Sequence, residues 1–163
     1  MAGHPNFSSA IDARKDLYQR LLKSLPKNSN GQKNLFTAYH EVFAPSVEVP
    51  ALLPEVWLHW DHKTVEERGP EALLRSRMDF LLLLPHGLRI VLEVDGIQHY
   101  TRDHGHTPDT AKYAEMVAAD RDLKLRGYEV FRFGHDELRQ IDSARALLKG
   151  FLPDMLRRFK VTI

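Results

Sequence analysis

Apolar and polar positions divide the chain into helical and extended stretches. Ile11, Leu17, Tyr18, Leu21 and Leu22 recur at helical spacing, which predicts an amphipathic helix over Ser9 to Leu25. Pro26 and the polar "KNSNGQ" end it. Leu35, Phe36, Tyr39 and Phe43 predict a second helix over Lys33 to Phe43. The loop "APSVEVPALLP" follows, and "EVWLHW" alternates like a strand over Glu55 to Trp60. After the polar stretch "DHKTVEERGPEALLRS", Arg77 to Leu84 and Leu88 to Asp95 are apolar at nearly every position. Such runs read as strands with both faces covered.

"TPDTAKYAEMVAADRDLKLRG" predicts a helix capped by Thr107 or Asp109, with Pro108 in its first turn and Gly127 at its end. "YEVFRFG" is a strand. "HDELRQIDSARALLKGFLPDMLRRF" is a terminal helix with an expected kink at Pro153. Strand, helix, strand from Leu88 to Phe133 is a crossover and should be parallel. The two strands before it are joined too briefly for that and must be antiparallel. The predicted fold is therefore α/β: a mixed central sheet flanked by helices on both faces. Residues 1–31 form an N-terminal helix and linker, and 32–163 the main body of one compact domain.

Asp79, Glu93 and Asp95 interrupt the apolar hairpin. Loop length decides whether they meet. A three-residue loop at Pro85-His86-Gly87, with Gly87 in the left-handed conformation, pairs Leu84 with Leu88. Asp79 then falls opposite Glu93, and Asp95 lies one diagonal step away on the same face. A two-residue loop at His86-Gly87 would place Asp79 opposite Val94 instead. The glycine position favours the first register and predicts a cluster of three carboxylates. Like charges so close repel, and burial worsens it. A hard divalent cation such as Mg²⁺ would compensate, since it takes a few carboxylate oxygens plus waters.

Composition narrows the setting. The chain has 163 residues, 43% apolar and 28% charged, with no cysteine. One domain with a real core is expected. Disulfides and thiolate metal sites are excluded, and a cytoplasmic location is the default. No apolar run reaches membrane-spanning length, so no membrane partner is expected. Net charge is only +1 but unevenly spread. From Arg139 to Ile163 six bases face two acids; from Glu41 to Asp79 eight acids face four bases. This polarity could steer a polyanion, or could belong to solvated surfaces.

Asp79, followed on the next strand by Glu93-Val94-Asp95, resembles the PD-(D/E)XK nuclease superfamily, with its restriction-endonuclease-like fold. "EVDG" with Gln98-His99, and the later "DRDLKLRGYEVFRFG", are similar to its very-short-patch-repair-like branch. "LPEVWLHWDHKT" and "RMDFLLLLP" resemble nuclease domains at the C-terminal end of bacterial abortive-infection proteins acting in phage defence. The likeness spans about Gln32 to Leu148. It implies a Mg²⁺-dependent endonuclease (Mn²⁺ can substitute) acting on nucleic acid, DNA before RNA. It also implies a place in a larger defence protein. A single module reaches one strand, so double-strand cutting would require a homodimer or two successive nicks.

Carried onto this chain, the resemblance makes Asp79 and Glu93 metal ligands, assisted by the Val94 carbonyl. Asp95 stands where the family usually has Lys, and several replacements are open. Asp95 could be a further ligand. His99 could act as general base or bond the scissile phosphate, with Gln98 handling water or phosphate. Lys112 or Lys124 could reach in from the following helix. Glu41 could add an outer carboxylate from the second helix. The altered Lys position also supports another reading: a catalytically inactive nuclease-like module for nucleic-acid binding or assembly.

Two nearby features have plainer readings. His99, His104 and His106, with Asp103 and Asp109, could bind zinc but match no defined zinc spacing; a loop over the site, its histidines touching phosphate, fits better. Asp120 and Lys124 read as an ordinary i,i+4 helix ion pair.

Overall fold

The computed structural model describes residues 10–43, 49–57, 77–103 and 106–162, without the Gln98 side chain. Helices α1 (Ala10–Ser24) and α2 (Asn30–Val42) precede strand β1 (Leu52–Trp57). The hairpin β2 (Arg77–Leu83) and β3 (Arg89–Val94) follows, then the two-residue strands β4 (Thr101–Arg102) and β5 (Thr107–Pro108). Helix α3 (Thr110–Leu125), strand β6 (Tyr128–Phe133) and helix α4 (Ile141–Arg158) complete the order. The main sheet runs β1-β2-β3-β6, antiparallel except for the parallel pair β3–β6. The mixed α/β fold expected from the sequence is present.

The hairpin closes as the loop chemistry predicts. Gly87 has φ +74, and His86 joins it in the left-handed region at φ 61. The Leu84 N–H donates to the Leu88 carbonyl at 2.9 Å. The register then pairs Leu83 with Arg89, Leu82 with Ile90, Leu81 with Val91 and Phe80 with Leu92.

One face of the sheet buries Phe80, Leu82, Ile90, Leu92 and Phe133 against α2 and α4, where Leu35, Phe36, Leu148 and Leu152 are fully enclosed. The other carries a smaller cluster around Met78, Leu81 and Val91. Helix α3 lies on that side, tied to β6 through Asp120 and Arg132. Helices α2 and α4 thus cover one face, and α3 runs beside β6 on the other.

Several boundaries differ from the sequence reading for local reasons. Helix α2 begins three residues early because Ser29 caps it, its side chain accepting from the Gln32 N–H. Gly31 permits this: a Cβ there would stand 2.8 Å from Val94 Cγ1. The first turn of α2 therefore rests on the end of β3. Strand β1 begins at Leu52; the expected continuation through Trp60, and the loop after it, lie outside the described residues. Asp109 caps α3, accepting from the Ala111 and Lys112 N–H groups at 3.1 and 3.2 Å, so Pro108 ends β5 instead of entering the helix. Gly127 ends α3 at φ +82, as expected.

The terminal helix starts at Ile141, not His135. Glu137 folds back to accept from the Gly134 N–H at 2.7 Å, and Asn34 holds the Leu138 carbonyl at 2.8 Å. These bonds fix turns where a helix was predicted. The helix then runs through Pro153 as one element.

Candidate functional site

The β2–β3 ladder stops at Phe80 and Leu92. One step further, the Val94 N–H donates to Asp79 Oδ2 at 2.9 Å. A side-chain carboxylate occupies a place that a backbone carbonyl would fill in a continuing ladder. Strand β1 breaks step at the same level: Glu55 has φ 55, between the pairs Pro54–Phe80 and Val56–Met78. Met78 packs with Leu81, and Val56 with Leu53, although strict alternation would put three-apart residues on opposite faces. The two strands change phase together, so their mutual register survives.

This corrects the expected geometry in one respect. The predicted register holds along the hairpin, and its continuation brings Asp79 level with Glu93. The Asp79 carboxylate, however, turns toward the Val94 N–H rather than standing in a simple one-faced row. Glu93 and Asp95 have the same parity along β3 and its end, and Arg132 pairs with Glu93 across the parallel β3–β6 ladder.

Glu93 is the most perturbed carboxyl of the group. Burial, then the neighbouring Asp79 charge, push it up to about 8, against the pull of Arg132. Asp95 and Asp120 add to the rise. Burial also raises Asp79, opposed by the Val94 N–H, Arg77, His99 and Gln32. Burial raises Glu55, with Arg77 lowering it and Asp79 raising it further.

Asp95 is buried but compensated. Arg132 Nη1 donates to Asp95 Oδ1 at 2.6 Å. The same guanidinium holds Asp120 through Nε at 2.9 and 3.0 Å and Nη2 at 2.8 Å. Burial alone would lower Arg132; Asp120, Asp95 and Glu93 outweigh it and hold the guanidinium in its charged form. The expected Asp120–Lys124 pair is replaced by this clamp between α3 and β6.

The other expected residues fall in different places. His99 ends a 3₁₀ turn, Ile97–His99, beside the acids, and its charge reaches Asp79. Gln98 lies in that turn, its side chain outside the described residues. Lys112 sits in the first turn of α3, where Nζ donates to the Thr101 carbonyl at 2.8 Å. Lys124 is exposed in the last turn, one turn beyond Asp120 toward the start of β3; the structure does not bring it to the acids. Glu41 is held on the α2–α4 seam by Arg145, at 2.6 and 2.8 Å, and that hydrogen bond lowers its carboxyl. Among the loop residues, Asp109 is engaged as cap and by Arg102 at 3.0 Å, while His104 lies outside the described residues.

Residues that the sequence reading missed complete the surroundings. Gln32 is buried, 4% exposed, and its side-chain amide lies close enough to Asp79 and Glu55 to lower both carboxyls. Glu55 Oε2 accepts from Arg77 at 2.8 Å. The capping Ser29 and the close-packed Gly31 were the available signals for Gln32. Glu55 stood in a predicted strand but carried no special mark.

The arrangement fits a cation held by two carboxylates better than one held by three. Asp79 is buried and Glu93 half-buried, each raised by the other's surroundings, while Asp95 already has Arg132. Among the described residues, no group of three or more His, Cys, Asp or Glu is disposed to hold a metal ion. A Mg²⁺ needs only one or two carboxylates when waters complete its shell. Among the described residues, no helix is long and apolar enough to cross a membrane. No protein family, curated protein or solved structure matches the chain.

Proposed function

We propose that the chain is a metal-dependent nuclease of the PD-(D/E)XK, restriction-endonuclease-like type, cleaving phosphodiesters in DNA in preference to RNA. The observation that carries this reading is Glu93: a half-buried carboxyl beside Asp79, pushed up to about 8. Paired buried carboxylates gain most from a bound cation, which removes the repulsion and the need for a proton. Asp79 and Glu93, with the Val94 carbonyl, would hold Mg²⁺ or Mn²⁺. Such an ion polarises a phosphoryl oxygen and acidifies bound water.

The chain's own residues then have distinct tasks. The Val94 N–H fixes one oxygen of Asp79. Arg132 locks Asp95 at the end of β3, so the residue at the family's Lys position serves as an anchor. His99, exposed and beside Asp79, is placed to take a proton from water or to bond a phosphate oxygen. Double-strand cutting would require a homodimer or two successive nicks. A role in phage defence follows from the resemblance alone.

The runner-up is an inactive nuclease-like binding module, favoured by Asp95, which stands at the Lys position with its charge spent on Arg132. Supercoiled plasmid, single-stranded DNA and RNA, each with Mg²⁺, Mn²⁺ or EDTA, separate the two. Metal-dependent cleavage that Glu93→Gln abolishes is the expected result. Metal-independent binding without cleavage would establish the runner-up instead.

A further inference from the structure

Five polar residues are buried among those described: Gln32, Asp79, Asp95, Thr101 and Asp109. The first three surround the acidic site, and the last two have no task in the chemistry above. Strand β4 pairs with β5 through Thr101–Pro108 and Arg102–Thr107, apart from the main sheet. In the same register, the Asp109 N–H donates to the Tyr100 carbonyl at 2.8 Å. Bonded and unbonded pairs alternate along an antiparallel ladder, so Thr101–Pro108 is an unbonded pair. Proline, which has no N–H, fits there, and the Thr101 carbonyl points away from β5. An outward carbonyl on a buried residue needs a donor from elsewhere. Lys112 Nζ supplies it at 2.8 Å.

The same residues tie down the turn that carries His99. The Thr101 hydroxyl donates to the Ile97 carbonyl, and the His99 N–H donates to the Gly96 carbonyl at 2.9 Å. Asp109 accepts from the Lys112 N–H at 3.2 Å and faces Arg102 at 3.0 Å. Lys112 thus meets this segment twice, through its backbone at Asp109 and its side chain at Thr101. We infer that Lys112 is a positioning residue for His99. Its ammonium group fixes Thr101, Thr101 fixes Ile97, and the turn Ile97–His99 is thereby held at the end of β3. The inference rests on the nuclease reading, in which His99 handles water or phosphate. It assigns Lys112 no contact with substrate or metal. A lysine suits the task, because its long stem carries a donor from the first turn of α3 across to a backbone oxygen.

Lys112→Met keeps the stem and removes the donor, while the bond from its N–H to Asp109 stays. Unfolding curves check the fold of each variant. With supercoiled plasmid and Mg²⁺, kcat should fall about 10–100-fold with KM little changed, the scale of loss when a catalytic group is displaced by about 1 Å. Lys112→Arg, which restores a donor, should recover most of the loss. In a His99→Gln background, Lys112→Met should have no further effect, because the residue through which it acts is gone. Hydrogen exchange in EDTA reads the hold without turnover. The His99 and Asp109 amides should exchange about tenfold faster in Lys112→Met, with the β3–β6 ladder unchanged. Thr101→Val, which removes only the hydroxyl link, should move both readouts the same way and keeps the test decisive if Lys112→Met proves unstable. Unchanged exchange at both amides would overturn the hold itself. A kcat loss that persists in the His99→Gln background would overturn positioning through His99 and leave the nuclease reading intact. No cleavage by the wild type would remove the nuclease reading and the catalytic role of His99 with it, while faster exchange at the two amides would still support the hold.

Discussion

Replacing Glu93 by Gln removes a titrating group while keeping its shape. In the metal-free protein, the folded-state carboxyl titrates at about 8, against 4.5 for an unperturbed Glu. A raised folded value means that the folded state binds the extra proton. The site's contribution to stability is fully present below the unfolded value and is lost as pH rises through the folded one. Each pH unit between the two costs about 1.4 kcal/mol, giving an upper bound of roughly 5 kcal/mol. Relaxation and water entry reduce this to an expected loss of about 2–3 kcal/mol between pH 5 and pH 9. For a chain of this size that corresponds to roughly 5–10 °C in melting temperature.

Denaturant unfolding in EDTA, repeated across that pH range, measures the effect. The difference between Glu93→Gln and wild type should move in favour of the variant as pH rises. Mg²⁺ should stabilise the wild type more at pH 9 than at pH 6, and the variant much less at either pH. Parallel pH curves for the two proteins would refute the reasoning, because they would mean that Glu93 feels neither burial nor Asp79.

Three further substitutions test the framework. Arg132→Met leaves Asp95 and Asp120 without their shared partner and should cost about 3 kcal/mol, measured by urea unfolding; a loss under 1 kcal/mol would show the clamp to be solvated. Gly127→Ala forces a side chain into φ +82 and should destabilise by about 1 kcal/mol or more in the same assay. Gly31→Ala drives a Cβ to 2.8 Å from Val94 Cγ1 and should cost about 1–3 kcal/mol, with larger amide chemical-shift changes at Val94 than in α4.

The sequence already contained the hairpin, because Pro85-His86-Gly87 admits few loop conformations and each one fixes a register. It also contained the parallel crossover, since one helix-length segment with caps at Asp109 and Gly127 separates β3 from β6. Arg132 was hidden because an alternating strand gives no sign of which distant acids a basic residue will meet. Asp120 was misread for the same reason: its local partner, four residues away, was visible, and the stronger partner on β6 was not. The phase change at Glu55 and Asp79 was illegible because it depends on two strands, more than twenty residues apart in sequence, breaking alternation together. Glu41 had the right chemistry on the right helix, but the α2–α4 seam supplied Arg145.

The bond from the Val94 N–H to Asp79 makes one amide a natural spectroscopic reporter. Most strand amides donate to a backbone carbonyl, whose basicity never changes. This one donates to a titratable, exchangeable acceptor. Its proton resonance should therefore shift when Asp79 gains a proton or a cation, while its neighbours in the β3–β6 ladder stay still. A single nitrogen-15 label at valine would let ion entry be followed in solution without substrate or turnover.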